Sequence, residues 1–204
     1  MSIHLTYYQS DLTIESVHPL FEGFRQFAPF GPEGDAIADK YDCDGERIWL
    51  GSLGASYDPG KWFLMGEWAK RDSDCFVGGN TAWYVSGGYR FGKFTPYLTY
   101  AHVKADSNTS DPGLTVSALP PIPGLAAAAT ALNAGLNALL ASTPVQETIS
   151  VGARWDFRKN ADLKLQYDHI RLGAGSSGTL INVQPGFQPG GNVEVFSVVV
   201  DFVF

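Results

Sequence analysis

Apolar and polar residues alternate with a period of two along much of the chain. Around residue 150, Ile149, Val151, Ala153, Trp155 and Phe157 fall on one face, and Thr148, Ser150, Gly152, Arg154 and Asp156 on the other. Near residue 200, Phe196, Val198, Val200, Phe202 and Phe204 share a face opposite Ser197 and Asp201. Successive side chains of a strand point to opposite sides of a sheet, so this alternation predicts strands with one apolar and one polar face. Strand-like runs occur at about 2–10, 46–57, 61–70, 80–91, 94–104, 147–157, 162–171 and 193–204. Each has about 9–12 residues, the length a tilted strand needs to cross a bilayer. The fifth is ambiguous, because Pro96 weakens it and neither face of Phe94–Lys104 is clearly apolar.

The connections alternate in length. Long ones span about 11–45, 71–79, 105–146 and 172–192. Short ones are Asp58-Pro59-Gly60, Gly92-Lys93 and Lys159-Asn160-Ala161. Short turns at one end and long loops at the other are the pattern of an outer-membrane barrel, and a soluble sandwich has no reason to sort its loops so. The reading is therefore all-β: a transmembrane antiparallel β-barrel with about eight strands present and one helical loop insertion. Short turns and both termini lie on the periplasmic side. Trp49, Tyr57, Trp62, Trp68, Trp83, Tyr89, Phe91, Trp155, Phe157 and Phe204 sit near strand ends, where barrels carry aromatic girdles. The competing explanation is that strands are rich in aromatics anyway.

Composition changes the picture little. Mean hydropathy is −0.05, which alternation explains by averaging the two faces. The 204 residues carry 14 Lys plus Arg against 21 Asp plus Glu, a net charge of −7. Such a balance disfavours binding to nucleic-acid phosphates. Two cysteines are too few for a disulfide scaffold and four histidines are scattered, so no metal or other cofactor is expected. Met1-Ser2 runs straight into the alternating Ile3–Tyr8 with no export signal before it. A membrane destination then implies a fragment or a misassigned start.

The segment Val195–Phe204 resembles the terminal strand of Gram-negative outer-membrane proteins, which ends in phenylalanine after alternating apolar residues. Gly87-Gly88-Tyr89-Arg90-Phe91-Gly92 and Val151-Gly152-Ala153-Arg154-Trp155-Asp156-Phe157 resemble porin strand ends. The likeness covers most of residues 44–204 outside the loops. It implies a porin-type barrel of sixteen strands, of which these eight are the C-terminal half; the alternative is a small barrel. It also implies that Phe196, Phe202 and Phe204 act as a signal to the barrel assembly machinery. Constriction residues of the family are not carried over.

Period two places Glu67, Arg90, Arg154, Asp156, Lys164 and Asp201 opposite the lipid face. They are pore-lining candidates, since rings of charge set pore selectivity, or else a mixed-sign network that keeps the lumen wet. Asp156 and Lys164 are expected to pair if Lys159-Asn160-Ala161 is a three-residue loop; the rival register opposes Arg154 to Lys164 and Asp156 to Asp162. Within the uncharged stretch from Pro112 to Gln146, the leucines of 124–140 fall within an arc of about 100°, which predicts a loop helix in or over the barrel mouth, with a low-complexity loop as the alternative. A tight turn at Asp58-Pro59-Gly60 pairs Tyr57 with Lys61 and brings Cys43 opposite Cys75, a candidate disulfide at the outer rim; the alternative is two free thiols. The run Asp39–Glu46 lacks calcium-loop spacing and reads as a solvated acidic loop. No nucleophile–base–acid set appears; His169 and Asp168 are adjacent on a strand and point apart.

The expected function is a passive diffusion channel for small hydrophilic solutes, not an enzyme. The alternative is a small eight-stranded structural or adhesive barrel whose lumen is filled by side chains. Expected partners are outer-membrane lipids and lipopolysaccharide, the assembly machinery, the solutes and further copies of the chain.

Overall fold

The computed structural model describes residues 1–203, so Phe204 lies outside the described residues. One sheet contains all eight strands in chain order: β1 (Ser2–Leu12), β2 (Glu46–Tyr57), β3 (Trp62–Ser73), β4 (Asn80–Tyr89), β5 (Phe94–Ala105), β6 (Gln146–Arg158), β7 (Ala161–Leu172) and β8 (Asn192–Phe202). Every neighbouring pair is antiparallel. Among the described residues no ladder joins β1 to β8, and the sheet is open. The all-antiparallel fold expected from the alternation is the one observed.

The registers resolve the ambiguous strand. Phe94, Pro96, Leu98 and Tyr100 of β5 share the face of Trp155, Ala153, Val151 and Ile149 on β6. Pro96 sits where β5 has a partner only in β6, because the β4 ladder stops at Gly88↔Tyr97. The missing proline donor therefore disrupts less than it would inside a doubly paired strand.

Two hairpins differ from expectation. In β2–β3, Tyr57 faces Leu64 rather than Lys61, so the turn is longer than Asp58-Pro59-Gly60. In β6–β7, Arg154 faces Lys164, and Trp155 faces Leu163. A bulge follows, with Asp156 and Phe157 sharing the space opposite Asp162 before Arg158 faces Ala161. The turn is thus Lys159-Asn160, and Asp156 is not the direct partner of Lys164. The rival register, which sets like charges opposite each other, is the one observed, and a side chain relieves the repulsion. The Arg154 guanidinium reaches Asp156 at 2.9 Å and Asp162 at 3.0 Å, so the carboxylates that would repel each other share one cation.

The buried apolar core lies outside the sheet. Helices α1 (His18–Arg25), α2 (Glu33–Tyr41) and α3 (Leu125–Leu140) pack together over the long-loop end. Phe21 and Phe24 of α1, Ile37, Ala38 and Tyr41 of α2, and Ala129, Leu136 and Leu140 of α3 are buried there with Phe27 and Leu114. α3 forms because Ala and Leu are the strongest helix formers. Pro19 is tolerated in the first turn of α1, where its missing N–H has no partner to lose. The α3 leucines meet α1 and its neighbours at the long-loop end. The connection read from sequence as a long loop over about 11–45 carries α1 and α2.

Polar side chains fix the cap. Asn133 and Asn137, one turn apart on α3, each bond both the N–H and the C=O of a facing residue: Leu114 for Asn133, Asp111 for Asn137, at 2.8–3.0 Å. Tyr41 donates to Asp111 at 2.7 Å. Asp42, expected in a solvated run, is buried beside His18 (3.0 Å) and Arg25 (3.2 Å). Cys43 and Cys75 are bonded, with Cα atoms 5.2 Å apart, and tie the base of α2 to the β3–β4 loop.

Candidate pore wall

The two faces of the sheet have opposite chemistry. On the outer face, the seven-residue stretches Trp62–Trp68, Trp83–Tyr89, Phe94–Tyr100, Ile149–Trp155 and Phe196–Phe202 present only apolar, aromatic, glycine or proline residues. Seven residues span about 20 Å along a strand, close to the apolar band that barrels turn to lipid. The side chains are large and exposed: Phe196 is 83% and Leu98 56% accessible. A soluble protein would cover such a surface.

Aromatics bound this band at both ends. At the short-turn end, Tyr57 packs edge-on to Trp62, Tyr89 lies 4.6 Å from Phe91, and Phe94 stacks on Trp155, which also meets Phe157. At the long-loop end, Trp49, Trp68 and Trp83 form the other edge, with Trp83 5.3 Å from Tyr100. The aromatics thus divide between two belts. Rings with an apolar body and a polar tip prefer this depth.

The opposite, concave face is polar and open. Ser56, Ser86, Thr95, Thr99, Arg154, Lys164, Gln166 and Asp201 line a cleft of about 720 Å³ together with Phe63, Met65 and Tyr97. Of the charged candidates, Arg90, Arg154, Asp156, Lys164 and Asp201 come together here. Glu67 lies on the same face nearer the loops, 3.6 Å from His4.

Local geometry explains how these groups are held. Arg90 clamps Asp58 through two contacts of 2.7 Å and also bonds the Gly60 carbonyl at 2.9 Å, tying two short turns together. That guanidinium, with the Gly60 N–H, lowers the Asp58 carboxyl to about 2. Tyr97 lies flat across Gly152, where a Cβ would stand 2.2 Å from the ring. The missing side chain lets the phenol cross β6 and donate to Gln166 on β7 at 2.7 Å. Lys164 stands over the same ring, 5.3 Å from its centroid. Sequence reasoning missed Tyr97 and Gln166; a glycine facing the lumen between β-formers was the only available sign. It also missed Asp58, which lies in a turn.

The cap stands at the long-loop end. Glu33 accepts from the Thr115 N–H and hydroxyl at 2.8 and 2.9 Å, which lowers its carboxyl. Burial raises the Asp111 carboxyl, but the Gly113 N–H, the Tyr41 hydroxyl and Lys40 outweigh it, and the net shift is downward.

An apolar belted exterior, a polar concave interior, tight turns at one end and capped loops at the other describe a sheet solvated by lipid outside and water inside. No curated protein matches the chain. A sequence model of the Gram-negative porin family, however, matches residues 21–176, from α1 to the loop beyond β7. The chain belongs to the Gram-negative porins, the channel proteins of the bacterial outer membrane.

Proposed function

We propose that this chain forms wall of a passive diffusion pore for small hydrophilic solutes. The observation that carries the reading is the sorting of the sheet into an exterior with a charge-free band between its aromatic belts and a concave interior lined by Ser, Thr, Gln and charged side chains. Passive passage needs no reacting groups: the apolar face excludes lipid and the polar face keeps water inside. The long loops face outward and the short turns face the periplasm, as in other outer-membrane barrels.

Among the described residues no ladder joins the outer edges of β1 and β8, and open edges in lipid leave backbone groups without hydrogen bonds. The eight strands therefore read as part of a wider barrel, completed by further strands or by further copies of the chain. A filled, non-conducting eight-stranded barrel would need β1 to pair with β8. Phe196 and Phe202, with Phe204, are the residues proposed to be read by the assembly machinery, and lipopolysaccharide is the proposed lipid neighbour of the loop-end belt.

The test is conductance of the protein, extracted from outer membranes, in planar bilayers. Stepwise channels with ohmic current support the reading. Stable insertion without channels would favour the filled, structural barrel.

A further inference from the structure

We propose that the concave wall carries a recognition site for small zwitterionic solutes, built on Lys164 and Asp201. The inference rests on the pore reading and names the solute class. Three cations and four carboxylates line the cleft: Arg90, Arg154 and Lys164 against Asp58, Asp156, Asp162 and Asp201. Five of the seven are held in ion pairs with one another, two cations against three carboxylates. Arg90 and Asp58 form a two-point clamp, and Arg154 bridges Asp156 and Asp162.

Lys164 and Asp201 are left over. Among the described residues neither belongs to an ion pair. Lys164 rests over the Tyr97 ring, a contact that aims the ammonium without neutralising it. Asp201 faces Asp162 across the β7–β8 ladder, and Lys164 faces Val199, so Lys164 and Asp201 are diagonal neighbours on one face. Such neighbours stand about 7–8 Å apart at their Cα atoms. Two unpaired, opposite charges therefore sit side by side in the wall, next to an aromatic ring.

This arrangement discriminates by charge pattern. An anion is drawn to Lys164 and repelled by Asp201; a cation meets the reverse. A solute carrying a carboxylate and an ammonium a few bonds apart satisfies both at once. The cleft sums to one net negative charge, which draws simple cations more than anions, but neither simple ion finds the second, opposite contact that a zwitterion finds at Lys164 and Asp201. Contacts of this exposed kind are weak, which suits a pore: the solute must bind well enough to enter and loosely enough to leave.

Liposome swelling with the protein extracted from outer membranes tests the proposal, with glycine and its uncharged isomer glycolamide as the probes. Their equal composition removes size as a variable. Glycine should enter faster than glycolamide through the natural protein. Lys164→Gln and Asp201→Asn should each lower the glycine-to-glycolamide ratio by about threefold, the scale of one exposed charge contact. Glycolamide entry should stay unchanged. Equal entry of the two solutes through the natural protein, or a ratio that neither variant moves, overturns the zwitterion site and leaves the pore intact. Entry of neither solute overturns the pore reading, and the site with it.

Discussion

Single side chains decide how the two short-turn hairpins and the wall between them are set. The Arg90–Asp58 clamp reinforces two turns that the bond from the Arg90 N–H to the Lys61 carbonyl already joins. Because the folded carboxyl lies at about 2, below its ordinary 3.8, the clamp contributes above the ordinary value and is lost only as pH falls through about 2. Arg90→Gln should let the Asp58 carboxyl return towards 3.8, readable by infrared titration of the carboxylate; an unmoved value would mean the Gly60 N–H alone holds it. Gly152→Ala should be more disruptive than its size suggests. The new methyl would displace the Tyr97 ring, break its bond to Gln166 and uncover Lys164. Losing one such hydrogen bond costs about 0.5–1.5 kcal/mol, and the displaced ring adds to it. The check is the thermal unfolding of the variant beside Tyr97→Phe, which should lose only the hydrogen-bond share. Neither residue was visible as a site in the sequence. Alternation assigned the face of every candidate charge, but it says nothing about which side chains lie across strands.

At the scale of elements, the cap has a buried apolar core of its own at the long-loop end of the sheet. Its core is separate from the wall, so its damage should be separate too. Leu136→Ala leaves a void among α1, α2 and α3 and should cost about 2–5 kcal/mol of local stability. Proteolysis within 106–145 should quicken while the heat-resistant mobility of the folded sheet on gels stays unchanged. A simultaneous loss of both would show that cap and sheet unfold as one. Acid should loosen the cap by the same logic. Glu33 and Asp111 both have lowered carboxyls, so their contribution is whole above the ordinary carboxylate range and disappears as pH falls through their folded values. Cap proteolysis by an acid-active protease should therefore rise as pH drops below about 4.

The strands were legible because a period of two survives any register. The helix at Leu125–Leu140 was legible because its leucines keep a helical period. α1 and α2 were not, since eight and nine residues interrupted by Pro19 and glycines give too little period to read. Registers were the weakest point. The cysteines were placed opposite each other by a turn three residues too short, and the bond in the structure closes where the ladder has ended, beyond Ile48↔Ser73. The β6–β7 register could not be had from charge pairing alone, because one arginine can bridge two strands.

For the whole molecule, the face that would be buried in a soluble protein is turned outward, and the small apolar core is exported to the loops. That inversion is what a lipid exterior and an aqueous interior demand. Deleting Phe204 should sharply lower outer-membrane yield if the terminal strand is read by the assembly machinery; normal yield would remove that role. The central claim, that the concave face lines water and the outer face meets lipid, is tested most directly by single cysteines along β6. Channels carrying Ile149→Cys, Ser150→Cys, Val151→Cys or Arg154→Cys would be exposed in bilayers to a charged, membrane-impermeant thiol reagent, with the Cys43–Cys75 bond left intact. Conductance should fall at positions 150 and 154 and stay constant at 149 and 151. Block at the odd positions, or no alternation at all, would contradict the account.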